Sequence, residues 1–307
     1  MSNPSETKGS GPAPAQAVVA ARRMPWERSR RYWYKFSRNP LSIIGVSTVL
    51  VIIFVAVFAP LVAPHPPSAG KYLNFPKAGQ PPSLANLCGT DTYGRDILSR
   101  VIYGFRFSLI MALVVLTLVV PVGVLLGLIA GYYRNTKIDT LIMRVTDIFV
   151  AIPPLVLALA ICSMLTPGLF NAMMAVSLMW WPWYTRMVYG VASSIKGEYF
   201  VQAAELTGAG RAHILFREIL PNCLSPILTK MSLDVGWVIL IGAALSFVGL
   251  GAQAPTPDLG SMVADGAKYL PDKWWISIFP ALAIMFVVLA FNLLGDGIRD
   301  MFGSERG

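Results

Sequence analysis

Charge is what this sequence has least of. Of its 307 residues only 13% are Asp, Glu, Lys or Arg, 55% are hydrophobic, and the mean hydropathy is +0.60. Soluble domains carry about a quarter charged residues, so a water-soluble fold of this length could not cover its own surface. Histidine is scarce too: His65 and His213 lie far apart with no carboxylate or cysteine motif beside them, which argues against a histidine-built metal site. The three cysteines, Cys88, Cys162 and Cys223, are odd in number and sit at neither metal-ligand nor redox spacing. Two of them lie in or beside apolar segments, so packing is their expected role, and no metal is expected in this chain. There is no HExxH, no GxSxG and no paired intramembrane aspartate constellation, which leaves an intramembrane enzyme with little support. A phosphate-binding loop needs Lys-Ser or Lys-Thr. None of the nine lysines here precedes either residue, so the chain is not expected to hydrolyse ATP.

The charge that is present is lopsided, with 25 Lys and Arg against 16 Asp and Glu for a net +9. A nucleic-acid binder clusters its basic residues on a solvated face. Here they fall between long apolar runs, so the expected environment is a lipid membrane and the expected fold class is all-α, integral to it. Charge-free runs predict six spans: Leu41–Val62, Ser108–Ala130, Ile142–Leu165, Phe170–Tyr189, a fifth within 235–257 starting near Leu228, and a sixth within 274–295. The third and fourth are separated by a turn at Thr166-Pro167-Gly168. With six spans both termini share one side. That side holds 18 basic residues and the other holds seven, which puts both termini in the cytoplasm.

The chain then divides into a polar tail over 1–21 without a signal-peptide core, a basic and aromatic interfacial segment over 22–40, and a first span over 41–63. An extracytoplasmic loop and helix follow over 64–107, then a five-helix core over 108–300 and a short tail over 301–307. The interfacial segment carries seven basic residues with Trp26, Tyr32, Trp33, Tyr34 and Phe36. That composition suits the anionic cytoplasmic leaflet, and equally an ordinary positive-inside anchor.

The loop over 190–225, between spans four and five, holds the main functional pattern. It reads Glu198-Tyr-Phe-Val-Gln-Ala-Ala-Glu-Leu-Thr-Gly208, then Ala-Gly-Arg211, and continues to Leu-Pro221-Asn222. Phe200, Ala203, Ala204 and Thr207 fall at i, i+3, i+4 and i+7 and so share one face of a short helix. Gly208 can end it in a left-handed turn. A second helical segment is expected from Arg211 to Pro221. A helix–Gly–helix in the cytoplasm is shaped to enter a partner's groove; the plain alternative is an amphipathic interfacial helix.

This loop resembles the EAA loop of binding-protein-dependent ABC importer permeases, matched at Gln202-Ala203-Ala204, Gly208 and Ile219-Leu220-Pro221-Asn222. Gln202 stands where the family often has Glu, so a salt bridge from that position is in question. Gly89-Thr-Asp-Thr-Tyr-Gly-Arg-Asp-Ile-Leu-Ser-Arg100, Gly104-Phe-Arg-Phe-Ser-Leu109, Leu245-Ser-Phe-Val-Gly-Leu-Gly251, Pro255-Thr-Pro257 and Phe291-Asn-Leu-Leu-Gly-Asp-Gly297 resemble the dipeptide/oligopeptide/nickel branch, and its second, C-type permease subunit in particular. The resemblance covers about residues 30–300. It implies a type I ABC importer permease fold of six transmembrane helices with a cytoplasmic coupling helix. It further implies a homologous second permease, two cytoplasmic ATP-binding subunits that bind ATP and Mg, and an extracytoplasmic substrate-binding protein, all in a prokaryotic inner membrane. This chain itself would carry no cofactor. Peptides are the implied substrate class, with nickel complexes or sugars as alternatives. The competing class is a stand-alone secondary transporter, disfavoured by the lack of an evident internal repeat.

The expected ATPase-coupling residues are Glu198, Phe200, Gln202, Ala203, Ala204, Glu205, Thr207, Gly208 and Arg211. Charges within spans are costly, which makes Asp147 and Asp234 candidates for the pore or for structural pairing. Arg144 is three residues from Asp147 and positioned to pair with it. Trp180 and Trp183, flanking Pro182, are gate candidates or part of an aromatic belt. Relatives often have an acid where this chain has Gly242. Outside, Thr90 or Asp91 can cap a helix with Ile97, Leu98, Val101 and Ile102 on its apolar side, and Asp91 and Arg95 are spaced to pair. Asp91, Arg95, Asp258 and Asp265 are candidates for the pore mouth or the binding protein, and the segment over 252–276 could meet a substrate amine.

Overall fold

The computed structural model describes residue 34 and residues 36–303. The expected tail over 1–21, most of the interfacial segment with Trp26, Tyr32 and Trp33, and the last residues of the tail over 301–307 lie outside the described residues. Where that segment enters, the Arg38 guanidinium sits 5.1 Å over the Tyr34 ring. The described residues form helices and no strand; a single bridge joins Thr90 to Asp96.

Helix α1, Pro40–Val57, starts with proline in its first turn and is capped by Asn39, whose side chain accepts from Leu41 N. The Asn39 amide also donates to Asp300 at 2.9 Å, so the first described span enters at the face where the last one leaves. Many of its large apolar side chains, including Leu50, Val51, Phe54 and Leu61 just beyond, face outward. In water such a surface is untenable; in a bilayer it is the lipid contact.

A short helix α2, Ala59–Val62, leads into a proline-rich loop and then α3, Ile97–Tyr132, a helix of 36 residues that joins the expected exterior helix and second span into one. Its cap is neither Thr90 nor Asp91. Asp96 accepts from Ser99 N and Ser99 Oγ, while Asp91 accepts from Tyr93 N and Arg95 N and closes the turn before it. Gly94, at φ 75°, reverses the chain there, which places Asp91 too far back to cap.

The expected third span is two helices, α4 (Lys137–Val150) and α5 (Pro154–Ser163), bent by 84° at the break between them. The reason is local: Pro154 disfavours helical backbone at Pro153, and neither proline can donate to a continuing helix. Helix α6, Leu169–Ile195, runs through Pro182. Helix α7, Tyr199–Leu206, is the loop helix.

Helix α8 spans Arg211–Phe247 and comprises Arg211–His213, a wider π-helical turn at Ile214–Ile219, and Leu220–Phe247. Pro221 therefore does not end it. The π turn comes just where a proline ring would press on the preceding turn, which loosens the backbone enough for the helix to continue. Span five ends at Phe247, earlier than the expected 257, and Gly249 follows with φ 92°. Helix α9 is Leu259–Ala267 and α10 is Trp275–Gly303.

Among the described residues four helices (α1, α3, α8 and α10) are long and apolar enough to cross a membrane, and the bent α4–α5 pair, taken as one span, makes a fifth. Helix α6 is long enough at 27 residues, but Trp180, Trp181, Trp183, Tyr184 and Arg186 lower its hydropathy and leave it outside that set.

Four buried clusters lie along α3 among the described residues, the smallest joining Ile102 to Ala59 and Ala63 at α2. At one end Ile97 and Val101 pack with Leu259, Met262, Trp275 and Ile276 of α9 and α10. In the middle Met111, Val115 and Val119 meet α1, α5, α6, α8 and α10. At the other end Leu128 and Tyr132 meet Val188, Val201, Ile214 and Ile219. Helix α3 packs most extensively on α6, and Gly123, Gly127 and Gly131 make that possible. A Cβ at Gly123 would lie 2.5 Å from Tyr184 Cβ, one at Gly127 2.7 Å from the Thr185 carbonyl oxygen, and one at Gly131 2.6 Å from Ala192 Cβ. Small residues at a four-residue spacing let two membrane helices approach backbone to backbone.

Candidate functional site

The loop helix α7 is held from below by Val201, fully buried, and by the partly buried Ala204 packed on the same cluster. Its C-terminus is a two-bond cap: Ala209 N donates to Ala204 O and Gly208 N to Glu205 O, both at 3.0 Å, with Gly208 at φ 80°. This is the Schellman arrangement, which needs a left-handed residue at that position. No neighbour lies within 4 Å of where a Gly208 Cβ would stand, so glycine serves the backbone there rather than the packing.

The expected shared face is divided by the structure. Ala204 turns inward, while Phe200, Ala203 and Thr207 are exposed. Beside them Tyr199 and Leu206 are 87% and 89% exposed and Phe200 42%, so the outward surface is more apolar than the four expected residues imply. Val201, Tyr199 and Leu206 were not among the expected coupling residues. Their signal was present: with Ala204 inward, Val201 is its i−3 neighbour on the buried side.

Gln202 donates to the Gly197 carbonyl at 2.9 Å and closes the turn into α7. A glutamate has no hydrogen to donate there at neutral pH, so this departure from the family pattern has its own local bond. Glu198 occupies the N-cap position without a side-chain cap bond. Glu205 accepts from Tyr132 Oη at 3.2 Å, and the Arg211 guanidinium lies 5.8 Å over the Tyr133 ring. Both contacts fasten the loop to the end of α3.

The four pore and gate candidates separate into two pairs. Asp234 is buried; it accepts from Trp180 Nε1 at 3.0 Å and pairs with Lys230 at 3.1 Å, whose ammonium is 5.2 Å over the Tyr184 ring. Trp180 and Asp234 thus face each other inside the chain and join α6 to α8. Asp147 does not pair with Arg144. It pairs with Arg186 of α6 at 2.7 Å, and both side chains are about half exposed, at 42% and 49%. The crossing of α4 over α6 brings that guanidinium closer than the one on its own helix. Trp183, three residues before Arg186 and also exposed, shares this open side. Gly242 lies beneath Met111, whose thioether occupies the space a side chain would need.

On the opposite end, Asp91 and Arg95 are both buried and pair at 2.7 Å, within a turn rather than on a helix. Arg100, not among the expected site residues, is buried beside them with its Nε 3.7 Å from Asp91. Asp265 is exposed and pairs with Lys268 at 3.4 Å. Asp258 instead caps α9 through Ser261 N at 3.0 Å, and burial raises its pKa above 3.8.

A raised folded-state pKa means that the folded chain binds the Asp258 proton more tightly than the unfolded chain does. Its stability contribution is full below the unfolded value and is lost as pH rises through the folded one. Asp258→Asn should keep the cap and flatten the fall in Tm on raising pH from about 4, read by thermal unfolding in detergent. Asp258→Ala should cost about 1 kcal/mol through loss of the cap.

Among the described residues no group of three or more His, Cys, Asp or Glu is placed to hold a metal. Residues 123–305 match the family model for a binding-protein-dependent transport system inner membrane component, and residues 26–82 match the N-terminal TM domain of oligopeptide transport permease C. A probable D,D-dipeptide transport system permease protein of Escherichia coli (strain K12) is 40% identical over 269 residues, covering 88% of this chain and 89% of that protein. A di/tripeptide transport system permease protein of Pseudomonas aeruginosa (strain UCBPP-PA14) is 40% identical over 277 residues, covering 88% and 90%. Among solved structures, the inward-facing MetNI methionine ABC transporter aligns with a TM-score of 0.55 at 19% identity, over 66% of this chain and 95% of that one. That likeness is one of fold.

Proposed function

The chain belongs to the binding-protein-dependent transport system inner membrane components, as a C-type permease subunit of the dipeptide/oligopeptide/nickel branch, and from that premise we propose that it forms half of the pore of an ATP-driven peptide importer. The observation that carries this reading is α7. A helix fastened by Val201 and Ala204 and closed at Gly208 leaves Tyr199, Phe200 and Leu206 uncovered. An exposed apolar cluster on a rigid mount calls for a protein partner. The partners are two cytoplasmic ATP-binding subunits, which carry ATP and Mg, while this chain binds no cofactor and performs no hydrolysis. A homologous permease completes the pore and an extracytoplasmic binding protein delivers the peptide. Both termini lie in the cytoplasm of a prokaryotic inner membrane, supported by the basic-residue asymmetry and by the Asn39–Asp300 bond that brings first and last spans to one face.

Closure of the ATPase pair displaces α7, and α6 and α8 tilt with it to switch access across the membrane. Trp183, Arg186 and Asp147 line the aqueous side of that passage, because a half-exposed ion pair facing acyl chains would be costly. Leu206→Asp should leave the chain's own core intact and lower ATP-driven peptide uptake in proteoliposomes by at least about tenfold, the effect of losing on the order of 1.4 kcal/mol of docking energy. Gly208→Val should do the same through the backbone, since a β-branched residue resists φ 80°. Full capture of the ATP-binding subunits and normal uptake by both variants would refute the coupling role.

A further inference from the structure

The end of the molecule opposite α7 holds an open cleft of about 660 Å³. Three stretches far apart in sequence form it: the turn before α3 and its first residues, the loop after α8, and α9. Its wall includes Tyr93, Arg95, Arg100, Gln253, Asp265 and Lys268. Pockets for small-molecule ligands run to roughly 300–1,000 Å³, so the volume admits a ligand the size of a di- or tripeptide.

Arg100 is the unusual member of this wall. It is 4% exposed, yet its Nε has no hydrogen-bond partner. The nearest carboxylate oxygen, Asp91 Oδ2, is 3.7 Å away and already accepts from Arg95 Nε at 2.7 Å. The remaining contacts of Arg100 are long ones from Nη1, at 3.3 Å to the Ser68 carbonyl and 3.5 Å to that of Pro255. Asp91 is thereby committed to Arg95, and the second guanidinium is left underused. A buried guanidinium with an unspent donor is expensive. It is also suited to a carboxylate, which its planar fork matches in geometry. Across the same wall Asp265 is exposed; its ion pair is with Lys268, itself exposed at the surface, and its charge also favours the cationic form of the nearby Arg100. The cleft therefore presents a fixed buried cation and, on the same wall, an accessible carboxylate, the complement of a zwitterion with an ammonium at one end and a carboxylate at the other.

We propose that this cleft is an extracytoplasmic peptide-receiving site, in which Arg100 takes the free C-terminal carboxylate of an incoming short peptide and Asp265 its N-terminal ammonium. The site rests on the peptide-import reading and adds to it a requirement for a free carboxyl terminus imposed by the permease itself. The Arg95–Asp91 pair positions the turn and leaves the charge of Arg100 available. Lys268 keeps Asp265 neutralised until an ammonium replaces it.

The test uses the assembled transporter in nanodiscs without the binding protein, so that the binding protein's own selectivity does not enter. Equilibrium binding of alanyl-alanine is compared with that of its C-terminal amide. The wild type should favour the acid by about tenfold or more, the range a charge-assisted bidentate contact supports. Arg100→Gln should abolish that preference by weakening the acid selectively. Arg100→Lys, which keeps the charge and loses the fork, should retain part of it. Asp265→Asn should weaken acid and amide alike. An unchanged acid-to-amide ratio in an assembled Arg100→Gln complex overturns the proposal. If neither Arg100 variant assembles, the wild-type ratio decides, and no preference for the acid overturns it. Peptide uptake into proteoliposomes with the binding protein present separates the two readings. Uptake with an unchanged Arg100→Gln ratio defeats the site alone. Absent uptake with an Arg100-dependent acid preference defeats the import reading alone.

Discussion

Gly127→Leu should prevent the transporter from accumulating in the membrane. At Gly127 a Cβ alone would stand 2.7 Å from the Thr185 carbonyl oxygen and 2.8 Å from Val188 Cβ. The first of these is backbone and cannot rotate away. The side chain therefore has to push α3 and α6 apart, along an interface whose neighbouring positions Gly123 and Gly131 are equally close to their partners. Overpacking a well-filled core costs roughly 1–3 kcal/mol and occasionally more, and a rigid backbone on the far side puts this site at the upper end. The same interface carries two of the buried clusters, including the one beneath α7, so separating these helices also releases the mount of the coupling helix. Gly127→Ala should give a smaller loss of the same kind. Gly190→Ala supplies the contrast: it lies on α6 with nothing within 4 Å of its would-be Cβ, and removing a helical glycine should leave stability equal or improved. The yield of intact complex by gel filtration after mild extraction orders the variants. Equal yields for Gly127→Leu and Gly190→Ala would overturn the assigned role of the glycine stripe.

That stripe also marks the boundary between what the residues say locally and what only the fold reveals. Charge-free runs coincide with the four helices and the bent pair that are apolar enough to cross a membrane among the described residues, because lipid excludes unpaired charge from any span, whatever its partner helix. The cap at Gly208 was legible for a related reason: a left-handed terminus needs nothing beyond its own backbone. The break between α4 and α5 had a local signal too, in Pro153-Pro154, but the apolar run hides it when hydropathy alone defines the span. The four-residue spacing of Gly123, Gly127 and Gly131 was equally visible. Its consequence depended on α6 presenting Thr185, Val188 and Ala192 opposite it.

Pairings between distant helices were the least legible. Asp147 has Arg144 nearby in sequence, and its partner Arg186 is 39 positions away. The same holds for Arg100. Its isolation follows from Asp91 choosing Arg95, a choice set by the turn at Gly94 and invisible in a run of alternating charges. For α7, the helical period found a face but not which side of it was buried. Val201 decided that by entering the cluster formed by α3, α6 and α8.

Asp234→Ala should uncouple the transporter even where the complex still assembles. Helix α7 is attached at both ends. It hangs between the end of α6 and the start of α8, so a push on α7 reaches the pore only if those two helices move together. Near α7 they share a packed cluster. Deeper in the membrane the specific tie is Asp234, which accepts from Trp180 of α6 at 3.0 Å and pairs with Lys230 one turn earlier on α8 at 3.1 Å. Removing the carboxylate leaves Trp180 without its acceptor and Lys230 without its counter-charge, both inside the helix bundle. Deleting one member of a buried pair costs about 3–5 kcal/mol in soluble proteins, more than enough to let α6 and α8 settle independently. Asp234→Asn is the informative companion, since its amide oxygen can still accept from Trp180 while the charge pairing is lost. The expected order for peptide transported per ATP hydrolysed is wild type, then Asn, then Ala, with the alanine variant down by about tenfold or more. ATP hydrolysis itself should persist, because α7 and its docking surface are unchanged. A variant that loses hydrolysis and transport in equal proportion would mark Asp234 as a requirement for assembly alone. One that keeps both wild-type hydrolysis and wild-type transport would remove it from the path between α7 and the pore.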